Sequence, residues 1–308
     1  MKIVALAGGT GAAKFLRGLC RVTDPADVTV IGNTGDDLEM WGLAVSPDLD
    51  TVMYTLAGIV DETKGWGLAG DTFACRDAME RWGRATFFGL GDQDIATHLV
   101  RTERLRGGAS LTHVTDELRR ALGVKCAILP MSDEPVRTRV RTPDGWLAFQ
   151  EFFVRERCAP AIVDITYDGA DRARPAPGVL EAIAEAKVVI ICPSNPISSV
   201  GPILAVPGIR RALAGAAARV VAVSPVVGQA PVSGPAGKMM AAKGFEVSAL
   251  GVAAVYEGLL HQLVIDSQDA PLVAPLQKKG VRALVTASIM TDAEKEKALA
   301  RAVLEGSS

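Results

Sequence analysis

The stretch Lys2 to Leu19, KIVALAGGTGAAKFLRGL, decides the fold class. Ile3 to Ala7 are successive apolar residues, enough for a short buried strand, and Gly8, Gly9 and Gly11 follow at once. Glycines there let the backbone turn tightly or approach a ligand closely. Phe15, Leu16 and Leu19 are then spaced for one face of a helix, with Lys14 and Arg17 free to point outward. A strand that breaks into glycines and a helix aims N–H groups and the positive end of a helix dipole at one point, where an anion is stabilised. Gly8, Gly9, Thr10 and Gly11 are therefore candidate phosphate or nucleotide ligands. Lys14 stands where the dinucleotide fingerprint has its third glycine, and no Ser or Thr follows a Gly-Lys pair, which excludes a P-loop.

The pattern continues as an α/β chain. Asp27 to Ile31 reads as a second strand, giving a βαβ start and a parallel sheet. Polar residues Gly32 to Asp37 follow it, and Pro47-Asp48-Leu49-Asp50-Thr51 heads an apolar helical run through Val52 and Leu56. One acid suffices to cap that helix, yet Asp36, Asp37, Asp48 and Asp50 all fall between residues 36 and 50. Such oxygens, beside a substrate phosphate, suit Mg²⁺. A helix from about Asp71 to Trp82 carries aromatics on either side, which either stack on a flat ring or pack beneath a lid. After Asp92 and Asp94 comes a helix with His98 and Arg101; His98 is read either as a base or substrate contact or as a histidine satisfied by helix packing. Lys125 to Leu129 is a further strand.

An antiparallel hairpin, Val136 to Val140 and Trp146 to Val154 around Pro143-Asp144-Gly145, forms an insertion of about residues 130–160 on the parallel core. The parallel pattern is expected to resume at Ala161 to Ile165, then a helix at Gly178 to Ala186 and a strand at Val188 to Cys192. That strand opens onto Ser194, Asn195, Ser198 and Ser199, small polar donors at the same carboxyl edge as the glycines. Val220 to Val223 feeds Ser224, and Ser233 to Lys238 starts another helix where Lys238 could meet a phosphate. A helix from Val252 to Leu263, strands near Leu263 to Asp266 and Val281 to Thr286, and a helix from Asp292 to Glu305 complete the chain. The fold expected is thus a Rossmann-like, mostly parallel sheet flanked by helices over residues 1–308, with a smaller hairpin lobe.

Composition narrows the function. With 308 residues, 49% hydrophobic and 22% charged, the chain is an ordinary globular one, and a formal charge of −2 gives no electrostatic footprint for nucleic acid. No run is long enough for a membrane span and none reads as a signal peptide, so a cytoplasmic protein is expected. Cys20, Cys75, Cys126, Cys158 and Cys192 lack metal-site or disulfide spacing and read as small apolar residues.

Taken in order, GGTGAAKFLRGL (Gly8 to Leu19), SPDLDT (Ser46 to Thr51), LGDQDIATHLVR (Leu90 to Arg101), LPMSDEPV (Leu129 to Val136), CPSNPISSVGPIL (Cys192 to Leu204) and VSPVVGQAPVSGPAGK (Val223 to Lys238) resemble the 2-phospho-L-lactate transferase family, CofD, called FbiA in actinobacteria. The resemblance implies Mg²⁺-dependent transfer of a phospho-acid from a guanylylated donor to the deazaflavin Fo, with release of GMP, in coenzyme F-420 synthesis, usually by a homodimer. It implies guanylyl contacts from Gly8 to Gly11, Ser194, Asn195, Ser199, Ser224, Gly234, Gly237 and Lys238. It also implies metal ligation by Asp36, Asp37 and Asp50, and substrate contacts at Asp50, Thr51, His98, Met131 and Asp133, with Asp50 the catalytic residue. A basic residue that precedes LGD in some members is Gly89 here. Two alternatives stand beside it: a nucleotide-sensing regulator of the YvcK-like group, against which the Ser46 to Thr51 acids argue, and an NAD(P) oxidoreductase, against which Lys14 and the non-acidic end of the second strand argue.

Overall fold

The computed structural model describes residues 1–306; Ser307 and Ser308 lie outside the described residues. Its centre is a seven-stranded sheet. The strands are β1 (Ile3–Ala7), β2 (Val28–Gly32), β3 (Ala127–Pro130), β4 (Val188–Ile191), β5 (Arg219–Val223), β6 (Gln262–Asp266) and β7 (Arg282–Thr286). Every neighbouring pair is parallel, in the order β7-β6-β5-β4-β1-β2-β3. The chain therefore winds outward from β1 through β3, then crosses back to lay β4 on the other side of β1. Between β1 and β4 lies the topological switch point, the crevice where open α/β sheets take their ligands.

Both sheet faces are covered, which is why the strands read as apolar runs rather than alternating ones. Val4 and Leu6 enter one core with Ile31, Val189 and Ile191, under short helices that include Val200–Ala205 and Ala249–Val255. Ile3 and Ala5 enter the other with Val30 and Ile190. That second core is closed by α1 (Gly9–Val22), α2 (Pro47–Ala57), a helix over Leu111–Ala121 and a C-terminal helix, Ala293–Gly306. Between them stand α3 (Ala74–Arg81) and α4 (Asp92–Arg106); the Leu111–Ala121 helix is α5. Among the described residues no helix is long and apolar enough to cross a membrane.

Three expectations are corrected. Asp164–Asp168 pairs antiparallel with Arg137–Thr142, so the insertion is a three-stranded sheet rather than a hairpin, and the parallel pattern does not resume there. A short run of apolar and polar residues fits either kind of pairing, and only the docking of the chain chooses. The hairpin's second strand stops at Ala148 and passes into a π-helical turn, Glu151–Arg155, that buries Phe152. The helix expected through Leu263 ends at Val255, before β6. An unforeseen ribbon, Leu38–Met40 with Leu43–Val45, turns through Trp41 and Gly42, both at positive φ as a two-residue loop of this kind requires. Phe87 and Phe88 pack beneath it, whereas Trp66 and Trp82 are exposed.

Arg17 does not point freely outward. Its Nε and Nη2 donate to the two oxygens of Glu296 at 2.8 and 2.7 Å, and Nη1 donates to Glu62 at 2.6 Å, clasping the C-terminal helix to α1. Glu296 is buried, so removing its partner leaves an uncompensated carboxylate, a change that costs about 3–5 kcal/mol. Arg17→Met is expected to lower the melting temperature markedly, and adding Glu296→Gln to restore most of it. A single variant within about 1 kcal/mol of the parent, the level of an exposed pair, would show that the clasp contributes little.

Candidate active site

At the switch point β1 runs out at Ala7 and α1 begins at Gly9. Gly8 is extended there, with φ of −159°, and no side chain caps the helix. Its N–H donates to Ser194 Oγ at 3.3 Å, which ties the glycine loop to the segment after β4. A Cβ on Gly8 would stand 2.5 Å from Asp48 Oδ2 and 2.6 Å from Ser199 Cβ, so the loop passes between these two walls only because a hydrogen is there. Gly11 is small for another reason: its Cβ would meet the Pro193 carbonyl oxygen at 2.4 Å, so α1 lies directly against the end of β4. Thr10 donates to the Gly65 carbonyl at 3.4 Å. The glycine loop, Ser194 and Ser199, distant in sequence, therefore form one surface, and Asn195 turns that loop by accepting from the Ile197 and Ser198 N–H groups.

The acids converge on the same crevice from β2 and α2. Neither Asp48 nor Asp50 is the cap residue of α2; Ser46 holds that position and instead donates to Asp37 Oδ2 at 2.9 Å. Asp48 accepts from Asn33 Nδ2 at 2.9 Å. Asn33, wholly buried, also donates to the Ser198 carbonyl at 3.2 Å, joining β2, α2 and the loop after β4. Burial pushes Asp48 up to about 6 and, despite nearby Arg137 and Ser46, Asp37 up to about 7. Burial and then the Asp48 charge push Asp36 well above the usual carboxylate range. Packing several carboxylates away from water is unfavourable unless a cation or proton joins them.

Several unsatisfied atoms fall at this place too. Thr34 Oγ1, Asp36 Oδ1, Asp37 Oδ1, Thr138 Oγ1, Arg101 Nε and His98 Nε2 are buried with no hydrogen-bond partner, whereas buried polar groups in folded proteins are overwhelmingly paired. Asp36 and Asp37 thus offer free hard oxygens that suit Mg²⁺. The expected trio is nevertheless not preassembled: both oxygens of Asp50 accept from the Arg101 guanidinium, through Nη1 at 3.0 Å and through Nη2. Among the described residues no group of three or more His, Cys, Asp or Glu side chains is arranged to hold a metal ion.

His98 lies beneath Asp50 rather than on an open wall. It is buried, its Nδ1 lies 3.2 Å from Arg101 Nη1, and its Nε2 lies 3.3 Å from Asp94 Oδ1, to which Tyr54 donates at 2.7 Å. Thr51 is buried in the first turns of α2. Other expected contacts are spent elsewhere. Met131 is core, and Asp133 accepts from the N–H and hydroxyl of Thr112 at the start of α5. Ser224 closes its own turn, donating to the Val226 carbonyl at 2.7 Å. Gly237 packs against Val247 and Pro231, while Gly234 is exposed at positive φ. Lys238, expected at a phosphate, donates to the carbonyls of Cys158 and Ala159 at 2.6 and 3.0 Å. Asn33 and Arg101 are the residues whose roles the sequence did not disclose. Their signal, a buried polar side chain at a strand end or on an inward helix face, exists only once the partners are known.

Known proteins resemble this chain over nearly its whole length. The family described as 2-phospho-L-lactate transferase CofD matches residues 3–306. A phosphoenolpyruvate transferase from Kitasatospora aureofaciens is 49% identical, with 99% of this chain and 97% of that protein aligned. A 2-phospho-L-lactate transferase from Methanosarcina mazei is 42% identical, with 98% and 99% aligned. Among solved structures, a UPF0052-family protein from Bacillus halodurans superposes with a TM-score of 0.65 at 18% identity over 98% of both chains, a likeness of fold. The six motifs, the switch-point crevice they build and these full-length matches lead to one statement: the chain belongs to the 2-phospho-L-lactate transferase CofD family.

Proposed function

We propose that the protein transfers the phosphoenolpyruvyl group of a guanylylated donor to the ribityl hydroxyl of the deazaflavin Fo, releasing GMP and forming a precursor of coenzyme F-420. The observation that carries this reading is the switch-point crevice, where the glycine loop meets Ser194, Ser199 and a set of buried acids. The choice of acid follows the relatives: the phosphoenolpyruvate transferase from Kitasatospora aureofaciens is 49% identical and the phospholactate enzyme from Methanosarcina mazei 42%.

The hydroxyl oxygen attacks the phosphorus that bears the acid, the bond from that phosphorus to the GMP oxygen breaks, and the hydroxyl proton passes to the departing phosphate or to solvent. The residues here need only bind, orient and exclude water. The glycine loop and the start of α1 meet the diphosphate, Ser194 and Ser199 flank it, and Asp50, gripped by Arg101, orients the attacking hydroxyl through its remaining lone pairs. Asp36 and Asp37 would hold Mg²⁺, which when bound neutralises phosphate charge. No nucleophile paired to a base is required, and direct displacement inverts configuration at phosphorus.

Incubation with Fo, Mg²⁺ and each guanylylated donor should give GMP and a phosphodiester-linked deazaflavin, fastest with the phosphoenolpyruvyl donor. EDTA should abolish turnover, and Mg²⁺ should raise the melting temperature of the parent but not of Asp36→Asn/Asp37→Asn. No GMP from any donor would refute the transfer. Full turnover in EDTA would refute the metal, and net retention with a chiral-thiophosphate donor would refute the direct displacement.

A further inference from the structure

The amphipathic pattern of α4 is inverted. Its buried residues are Asp94, His98, Arg101 and Thr102, while Leu99 and Val100 face solvent at 53% and 38% exposure. Residues spaced by four and three on a helix share a face, and here that inward face is polar and charged. Exchanging buried ion pairs for apolar side chains is often neutral or stabilising, so stability alone gives no reason to keep this one.

Arg101 is fully buried and makes a two-point grip on Asp50. A guanidinium fixes both oxygens of a carboxylate in one plane, whereas an ammonium offers a single centre. Arginine can only donate, so His98 Nδ1 accepts from Nη1 and the ring proton sits on Nε2, towards Asp94. Asp94 is held in turn by the Tyr54 hydroxyl on α2, the helix that carries Asp50. Tyr54, Asp94, His98, Arg101 and Asp50 therefore pack as one buried polar cluster between α2 and α4, in which His98 Nε2 approaches Asp94 without a formed hydrogen bond. Asp37 lies near enough that its charge acts on Arg101 and the Asp50 charge acts on it.

We propose that Arg101 is a positioning residue, which acts through Asp50 by fixing both carboxylate oxygens, with His98 bracing Arg101 in turn. In its kinetic consequence this rests on the transfer reading above. Arg101→Lys keeps the charge and loses the fork; Arg101→Met loses both. Arg101→Met is expected to lower the melting temperature because Asp50 is left buried without its counter-ion, and Asp50→Asn/Arg101→Met to recover most of that loss. Arg101→Lys is expected to keep GDP affinity within about threefold while kcat falls about 100-fold, the scale of a small misplacement at a reacting centre. A crystal structure of Arg101→Lys should show the Asp50 carboxylate turned from its present orientation. Parent-like kcat in folded Arg101→Lys, or an unmoved Asp50 in that crystal, overturns the proposal. If the parent itself releases no GMP, the transfer reading falls, and the Asp50 orientation in the crystal decides the positioning role separately: turned supports it, unmoved overturns it.

Discussion

Asp50→Asn is expected to lower turnover and thermal stability together, kcat by roughly 10²–10³-fold, the range for losing one oriented polar group at a reacting centre. The stability loss follows from Arg101. Its guanidinium is fully buried, and Asp50 is the carboxylate that meets its Nη1 and Nη2. Asparagine keeps one acceptor oxygen but removes the charge, leaving a cation in the interior. Breaking a buried pair in this way costs about 3–5 kcal/mol, and the retained acceptor places this case at the lower end. For a chain of 308 residues about 3 kcal/mol corresponds to roughly 4–5 °C in Tm. Were Asp50 simply the cap of α2, the change would be almost silent, since Asn and Asp cap equally well. The structure puts Ser46 at that position instead. Thermal unfolding and GMP release separate the two roles: a parent-like Tm would show that the pair with Arg101 contributes little, and parent-like turnover would remove Asp50 from the reaction.

Gly8→Ala is expected to weaken GDP binding at least about tenfold in a protein that still folds. The backbone of Gly8 is extended, a conformation alanine adopts without strain, so the effect comes entirely from what surrounds it. The added methyl would lie 2.5 Å from an Asp48 oxygen and 2.6 Å from Ser199 Cβ, and one wall of the crevice must move. Overpacking of this kind costs about 1–3 kcal/mol. Because the displaced walls are Asp48 and the loop of Ser194 and Ser199, the cost falls on the proposed nucleotide site. Gly11→Val acts differently, by pushing α1 off the Pro193 carbonyl. Calorimetric titration with GDP measures the effect, with circular dichroism to establish folding. Undiminished affinity in folded Gly8→Ala would show that the glycine loop is a packing junction and not a nucleotide site.

The local features of this protein were legible without coordinates. Ile3 to Ala7, three glycines and an amphipathic helix specify a strand, a tight approach and a helix start, because each depends on neighbours a few residues away. β1 indeed spans Ile3–Ala7, and the sheet strands begin within a residue or two of where their apolar runs do. The parallel start of the sheet followed from the βαβ order, and six motifs in sequence were enough to name the family. The same locality explains the errors. Asp164–Asp168 carries no mark of its direction, so whether it joins the parallel sheet or the antiparallel insertion is settled by which edge it reaches.

Charges were the least legible part, for an energetic reason. A lysine beside glycines at a helix start invites a phosphate reading, yet Lys238 bonds carbonyls some eighty residues earlier in the chain. Arg17 looked solvated and holds buried Glu296. Asp50 stood out in its motif, yet its partner stayed hidden until α4 brought Arg101 to it across 51 positions of sequence. A polar side chain in water is indifferent to its neighbours, whereas in the interior it must find a partner, and the strength of that demand depends on burial. The sequence by itself determined the glycine loop, the order of strands and helices and the family. The tertiary structure alone decided which acids keep free oxygens, Asp36 and Asp37, and which one is held, Asp50, because burial and pairing exist only after α2, α4 and the loop after β4 have packed together.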